Sequence, residues 1–237
     1  MTDDDDIVVE DASKHFASFV ALQSVHLHIE RGQFVLLAGA NGAGKSTLLR
    51  LIAGISRPSS GRVLIGGKDP QQDASARAVI GLLSHHTLLY DDLSAEENLA
   101  FFARLYALSG GAQQIDEALR EVGLVEHRQR RVRGFSRGMR QRLAWARATL
   151  HNPTILLLDE PFTGLDQAAC SALHAQLDRL KASGCTCVMV THKPEEGATL
   201  ANRLVVLRRG RLCHDQPWSG TARALAETCT PFLEAIR

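Results

Sequence analysis

The sequence predicts an α/β fold with a mainly parallel sheet, an antiparallel β region near the N-terminus and a helical lobe inserted into the core. Three observations carry this expectation. The short continuous apolar runs FVLLA (34–38), TILLL (154–158) and CVMVTH (187–192) suit central strands of a parallel sheet covered on both faces. Helical patterns such as STLLRLIAGI and QAACSALHAQLDRLKA lie between them, and strands alternating with helices imply a layered α/β architecture. From about Ser94 to Leu150, by contrast, no strand-like run occurs.

VHLHIE (25–30) alternates apolar and polar residues, the pattern of a half-buried strand, and turns His26 and His28 outward together. No third ligand lies near this pair, so a solvated face outweighs a metal site. In the middle segment, SAEENLAFFARLYAL opens on Ser94 with Glu97 three residues on, a capping-box signal. IDEALREVGL and GMRQRLAWARATL continue the helical period. RLVVLRRGRLCHDQ (203–216) reads as a late hairpin with RRG at its turn. The whole chain, 1–237, is expected to form one domain: residues 1–86 and 151–237 make the α/β core, and about 87–150 the lobe.

A composition of 45% hydrophobic and 22% charged residues is ordinary for a globular chain with a sizeable core. Net charge is +1, from 27 basic and 26 acidic residues, which argues against a dedicated nucleic-acid binder. The five cysteines show neither metal-site nor disulfide-framework spacing. Cys185 and Cys187 read as small buried hydrophobes in a reducing compartment. No apolar stretch approaches the roughly 20 residues of a membrane-spanning helix. The start, MTDDDDIVVE, is acidic where a secretory signal is basic and then apolar. The chain is therefore expected in the cytoplasm, meeting a membrane only through a partner. The DDDD run is expected to be a solvated tail.

GANGAGKST fits G-x-x-x-x-G-K-[ST] from Gly39 to Ser46, following a strand and opening a helix as that motif requires. Its glycines let successive N–H groups of Gly39, Ala40, Asn41, Gly42, Ala43 and Gly44 face inward, and the helix from Lys45, Ser46 and Thr47 adds its positive end. Lys45 is expected at the β- and γ-phosphates and the Ser46 hydroxyl on Mg²⁺. The stretch reads as a triphosphate cradle, and the core is expected to be that of a P-loop NTPase. In ILLLDEP, Asp159 ends a strand where its carboxylate can hold Mg²⁺ through water, and Glu160 can orient and deprotonate an attacking water. Taken alone, the two acids also fit an exposed turn or a helix cap.

FSRGMRQRLAWARATLHNPTILLLDEPFTGLD resembles the signature-to-catalytic-acid region of ABC-type ATPases. The motif order agrees: phosphate loop, FSRGM (135–139), Asp159–Glu160, TGLD (163–166), then a Thr–His pair ending in His192. The resemblance spans about Phe16 to Gly210. It implies a head-to-tail homodimer sandwiching two ATP molecules. Ser136, Arg137, Gly138 and Met139 would then face the γ-phosphate bound by the opposite subunit, as a helix N-terminus with a hydroxyl can. Asp166 would link the sites across the interface, and His192 would contact the γ-phosphate and hold the water. Phe16 lies where the family places an adenine-stacking aromatic; alternatively Phe16 is core and Phe19 serves, or neither does.

Two departures stand out. His85 replaces the family's usual glutamine, and because Mg²⁺ prefers oxygen, a water-mediated role suits it better than direct ligation. Arg137 and Met139 replace a glycine and a glutamine of the signature, with Arg137 expected to point away from the nucleotide or toward the partner lobe. Seven arginines lie between Arg128 and Arg142. A locally paired solvated surface accounts for them best, ahead of attraction to anionic lipid or an acidic membrane subunit, or a nucleic-acid patch.

The resemblance implies an ATP-hydrolysing subunit of an ABC transporter, with ATP and Mg²⁺ as cofactors, peripheral on the cytoplasmic face of the membrane. Its partner would be an integral membrane permease, docked near His85 at HTLLYDDL; no nucleic acid is expected. SHHTLLYDDLSAEENL and RVRGFSRGMRQRL are similar to the ATP-binding subunits of haem exporters of cytochrome c maturation, and also to drug and lipid exporters. No C-terminal regulatory domain of the sugar-importer kind is expected. A soluble ABC ATPase acting on ribosomes or DNA, or a regulatory nucleotide-binding module without turnover, are the alternatives.

Overall fold

The computed structural model describes residues 5–191 and 194–233. Two sheets form. The first has the order β2-β1-β4, all antiparallel, from β1 (Asp5–Phe16), β2 (Phe19–Glu30) and β4 (Ser60–Ile65). The second has six strands in the order β5-β6-β7-β3-β8-β9, from β3 (Phe34–Ala38), β5 (Ile80–Leu83), β6 (Ile155–Asp159), β7 (Thr186–Val190), β8 (Arg203–Arg208) and β9 (Arg211–Pro217). All its pairings are parallel except the β8–β9 hairpin, which turns at Arg209–Gly210.

The apolar runs are central strands because both their faces are covered. Along β6, Ile155 and Leu157 face a core shared with the antiparallel sheet and α1 (Lys45–Ile52). Leu156 and Leu158 face the opposite core, built with α5 (Arg137–Thr149) and α6 (Gln167–Ala182). β7 alternates in the same way, Val188 and Val190 against Cys187 and Met189. Cys185 and Cys187 are free thiols within this packing, and burial pushes the Cys185 thiol up to about 12.

Between β5 and β6 the described chain is helical, with no strand from Ser94 to Leu150. α3 (Ala95–Leu105) starts on the expected capping box: Ser94 accepts from the Glu97 N–H, and Glu97 accepts from the Ser94 N–H. α4 (Gly111–Glu121) and α5 complete the lobe. Five of the seven arginines there have partners: Arg128 pairs with Glu96 and Asp116, Arg133 with Asp92 and Arg140 with Asp91. Arg130 and Arg142 donate to the backbone carbonyls of Gly134 and Val122. The paired-surface expectation describes this region. Elements also stand where the sequence reading placed none, among them β4, β5, α2 (Ala74–Ala78), the short helix α7 (Pro194–Gly197) and α8 (Ala222–Leu233).

The solvated-tail expectation for DDDD is corrected. β1 begins at Asp5, and Asp6 is buried. Its carboxylate accepts from the Thr186 hydroxyl and pairs with Arg31, while Thr186 Oγ1 accepts from the Gly32 N–H at 2.8 Å. Placed in β1, Asp6 meets Thr186 from the other sheet, and a buried carboxylate needs such a partner, which a composition-based reading cannot foresee. Asp3 and Asp4 lie outside the described residues.

Candidate active site

The phosphate loop runs from the end of β3 into α1, so the helix's free N–H groups close one side of it. Gly39 and Gly44 make the curl, with φ of 147° and 107°. At Gly44 a Cβ would stand 2.5 Å from the Ala21 carbonyl oxygen, so the loop lies directly on β2. A cleft of about 200 Å³ opens here, lined by Phe19, Ala21, the loop from Asn41 to Thr47, Asp159 and Val190. Larger clefts of about 510, 430 and 420 Å³ surround α4, α5 and α6, without a glycine-lined anion cradle.

Lys45 is 7% exposed, and its ammonium donates to the carbonyl oxygens of Gly39 at 2.6 Å and Ala40 at 2.9 Å. Burial lowers its pKa, and the nearby Glu160 and Asp159 carboxylates oppose that shift. The lysine, the Ser46 hydroxyl and the two acids therefore meet at one edge of the sheet. β6 ends there at Asp159, paired with Val190 of β7. Glu160 follows with a φ of 56°, in the left-handed region uncommon for a residue with a side chain, and its N–H donates to the Val190 carbonyl. Strained backbone of this kind clusters at functional sites.

Of the other expected residues that the structure describes, Ser136, Arg137, Gly138, Met139, Asp166, His85 and Phe16 line no part of this cleft. Ser136 is the N-cap of α5, accepting from the Met139 N–H at 3.2 Å. Arg137 is exposed, and Gly138 packs so closely on the 160–166 loop that a Cβ would stand 2.9 Å from the Gly164 carbonyl oxygen. Asp166 is the N-cap of α6 through the Ala169 N–H. His85 is exposed two residues beyond β5, at the same sheet edge as Glu160, with its ring edge-on to His86. Phe16 and Phe19 face each other across the β1–β2 turn, 48% and 57% exposed, and it is Phe19 that lines the cleft. His192 lies outside the described residues. Sequence reasoning missed Gln141, whose amide donates to the Pro161 carbonyl at 2.9 Å and approaches the Glu160 carbonyl at 3.5 Å. No motif or period in the sequence marks it, because both its partners are backbone carbonyls about 20 residues along the chain.

Fold and cleft define a phosphate-loop nucleotide-binding protein with a helical lobe inserted between two core strands. The sequence profile of the ABC transporter family matches residues 22–163, and the chain belongs to that family of ATP-binding, ATP-hydrolysing proteins. It is 37% identical over 216 residues to the ABC transporter ATP-binding protein NatA of Bacillus subtilis (strain 168), covering 88% of each chain. It is 39% identical over 209 residues to the sulfate/thiosulfate import ATP-binding protein CysA of Thermosynechococcus vestitus, covering 87% of this chain and 62% of that one. Identity to the spermidine/putrescine import ATP-binding protein PotA of Bacillus cereus is 34%, over 87% of this chain and 64% of that one. The chain thus spans under two thirds of the length of these two import subunits. Among solved structures, an ATP-binding cassette dimer in a post-hydrolysis state with ADP and Pi superposes with a TM-score of 0.82 at 28% identity, over 90% of this chain and 99% of that one. Among the described residues no helix is long and apolar enough to cross a membrane.

Proposed function

We propose that this chain is the ATP-hydrolysing subunit of an ABC transporter, working as a homodimer that drives a separate membrane permease from the cytoplasmic face. The observation that carries this is the shared edge: Lys45, Ser46 and Asp159 line one cleft, and Glu160 lies close enough to act on the lysine. A triphosphate in the loop takes the Lys45 ammonium from the Gly39 and Ala40 carbonyls. Ser46 and Asp159 offer the oxygen donors Mg²⁺ prefers, and would hold that ion to offset phosphate charge. Glu160 orients and deprotonates the water, with His192 assigned to the γ-phosphate. The signature residues Ser136 to Met139 line no part of their own chain's cleft, which supports their action on the partner's nucleotide. Asp166 joins the two sites, and Phe16 or Phe19 stacks on adenine.

The permease docks at HTLLYDDL, where Leu88 and Tyr90 are exposed beside His85. For the cargo, export of haem rests on the likeness of SHHTLLYDDLSAEENL and RVRGFSRGMRQRL to haem exporter subunits. A second reading, import of a small solute, is favoured by the sulfate and spermidine relatives. Glu160→Gln should bind ATP, accumulate as a dimer on size-exclusion chromatography and release phosphate at least 100-fold more slowly, about 2.7 kcal/mol in barrier. Hydrolysis at the wild-type rate refutes the assignment of the base.

A further inference from the structure

Helix α5 touches the segment carrying the catalytic acid at two places on one face. Its first turn, at Arg137 and Gly138, packs on Gly164. One turn on, Gln141 reaches back to the carbonyls of Glu160 and Pro161. Positions four apart lie one above the other on a helix, so a single face makes both contacts. The 160–163 stretch is a tight turn, with the Thr163 N–H donating to the Glu160 carbonyl at 3.2 Å. Pro161 has no N–H to anchor the turn, and its residue is buried, so its carbonyl needs a donor from elsewhere. Gln141 supplies one. Glu160 itself sits at a φ of 56°, a conformation that persists only where its surroundings over-determine it. The Val190 carbonyl holds the residue from its N–H side, and Gln141 holds it from its carbonyl side.

We propose that Gln141 is a positioning residue for hydrolysis: its amide fixes the strained turn from Glu160 to Pro161 and thereby aims the Glu160 carboxylate. The inference rests on the reading of Glu160 as the base. Gln141 lines no part of the phosphate-loop cleft, so it acts through Glu160 and leaves nucleotide affinity alone. Its position on the signature helix makes the aim of the base depend on where that helix lies.

The test is steady-state ATP hydrolysis by the purified chain carrying Gln141→Met, which keeps the length of the side chain and removes its donors. Misplacing a reacting group by about 1 Å costs up to roughly 100-fold in rate, so kcat should fall roughly 10- to 100-fold. KM and the ATP dissociation constant should stay within about twofold, and thermal unfolding should show the variant folded. Gln141→Glu, nearly identical in shape but without donors, serves if the methionine variant does not fold. Each change is then repeated in the Glu160→Gln background, with residual hydrolysis followed over long single-turnover incubations. A positioning role predicts no further loss there. Wild-type kcat in both Gln141 variants overturns the proposal, as does an undiminished loss in the Glu160→Gln background. Glu160→Gln hydrolysing at the wild-type rate instead overturns the assignment of the base, and the proposal with it.

Discussion

Gly44→Ala against Gly42→Ala separates the two demands that the phosphate loop makes on glycine. Both residues have positive φ, 107° and 77°, a conformation that costs an ordinary residue about 1–2 kcal/mol. They differ in surroundings. A Cβ at Gly42 meets nothing within 4 Å, whereas at Gly44 it stands 2.5 Å from the Ala21 carbonyl oxygen and 2.7 Å from Leu22 Cδ2. The first obstacle is backbone within a paired strand, so the loop must lift or β2 must bend. Overpacking of this kind costs about 1–3 kcal/mol more. For a chain of this length each kcal/mol lowers the melting temperature by about 2–4 °C. Gly42→Ala should therefore melt about 2–8 °C below wild type, and Gly44→Ala about 4–20 °C below. Differential scanning fluorimetry without nucleotide reads both directly. Gly42→Ala falling as far as Gly44→Ala, or further, would refute the claim that contact with β2 shapes the loop.

Two further outcomes concern polar groups packed into the fold away from the site, one buried and one half-buried. Thr186→Val removes the side chain that accepts from Gly32 and donates to Asp6, leaving both without that partner. The loss should be about 1–3 kcal/mol, read as a lower urea midpoint at unchanged slope; a midpoint within error of wild type would show that water replaces the bond. His151 stacks on Tyr106 at 3.9 Å and bonds the Ile80 carbonyl through Nε2, which must carry the hydrogen because a carbonyl only accepts. Burial lowers its pKa, so the folded state favours the neutral ring. Its stabilisation is complete above about pH 6.5, the ordinary histidine value, and is lost as pH falls below that. His151→Gln should shrink the drop in melting temperature between pH 7.5 and 5; an equal drop in both proteins would exclude His151 as its source.

The sequence by itself determined what depends on local chemistry. The glycine spacing from Gly39 to Gly44, with Lys45 and Ser46 after it, specifies an anion cradle wherever a strand meets a helix. The continuous apolar runs specify doubly covered strands, because no alternating pattern survives when both faces are buried. The Ser94–Glu97 box fixed a helix start for the same local reason. Tertiary structure decided what depends on which strands become neighbours. β5 was illegible because Ile80–Leu83 is four residues long, and only its pairing with β6 makes it a strand and brings His85 to the edge that carries Glu160. Asp6 reads as one more charge in an acidic run until β1 brings it to Thr186, 180 residues away. The choice of Phe19 for the cleft follows from the β1–β2 turn, which sends two aromatics three residues apart to different surroundings. Gln141 carries no motif of its own. Its meaning lies in two carbonyls about 20 residues along the chain, and hydrogen bonds between distant segments leave no period in a sequence.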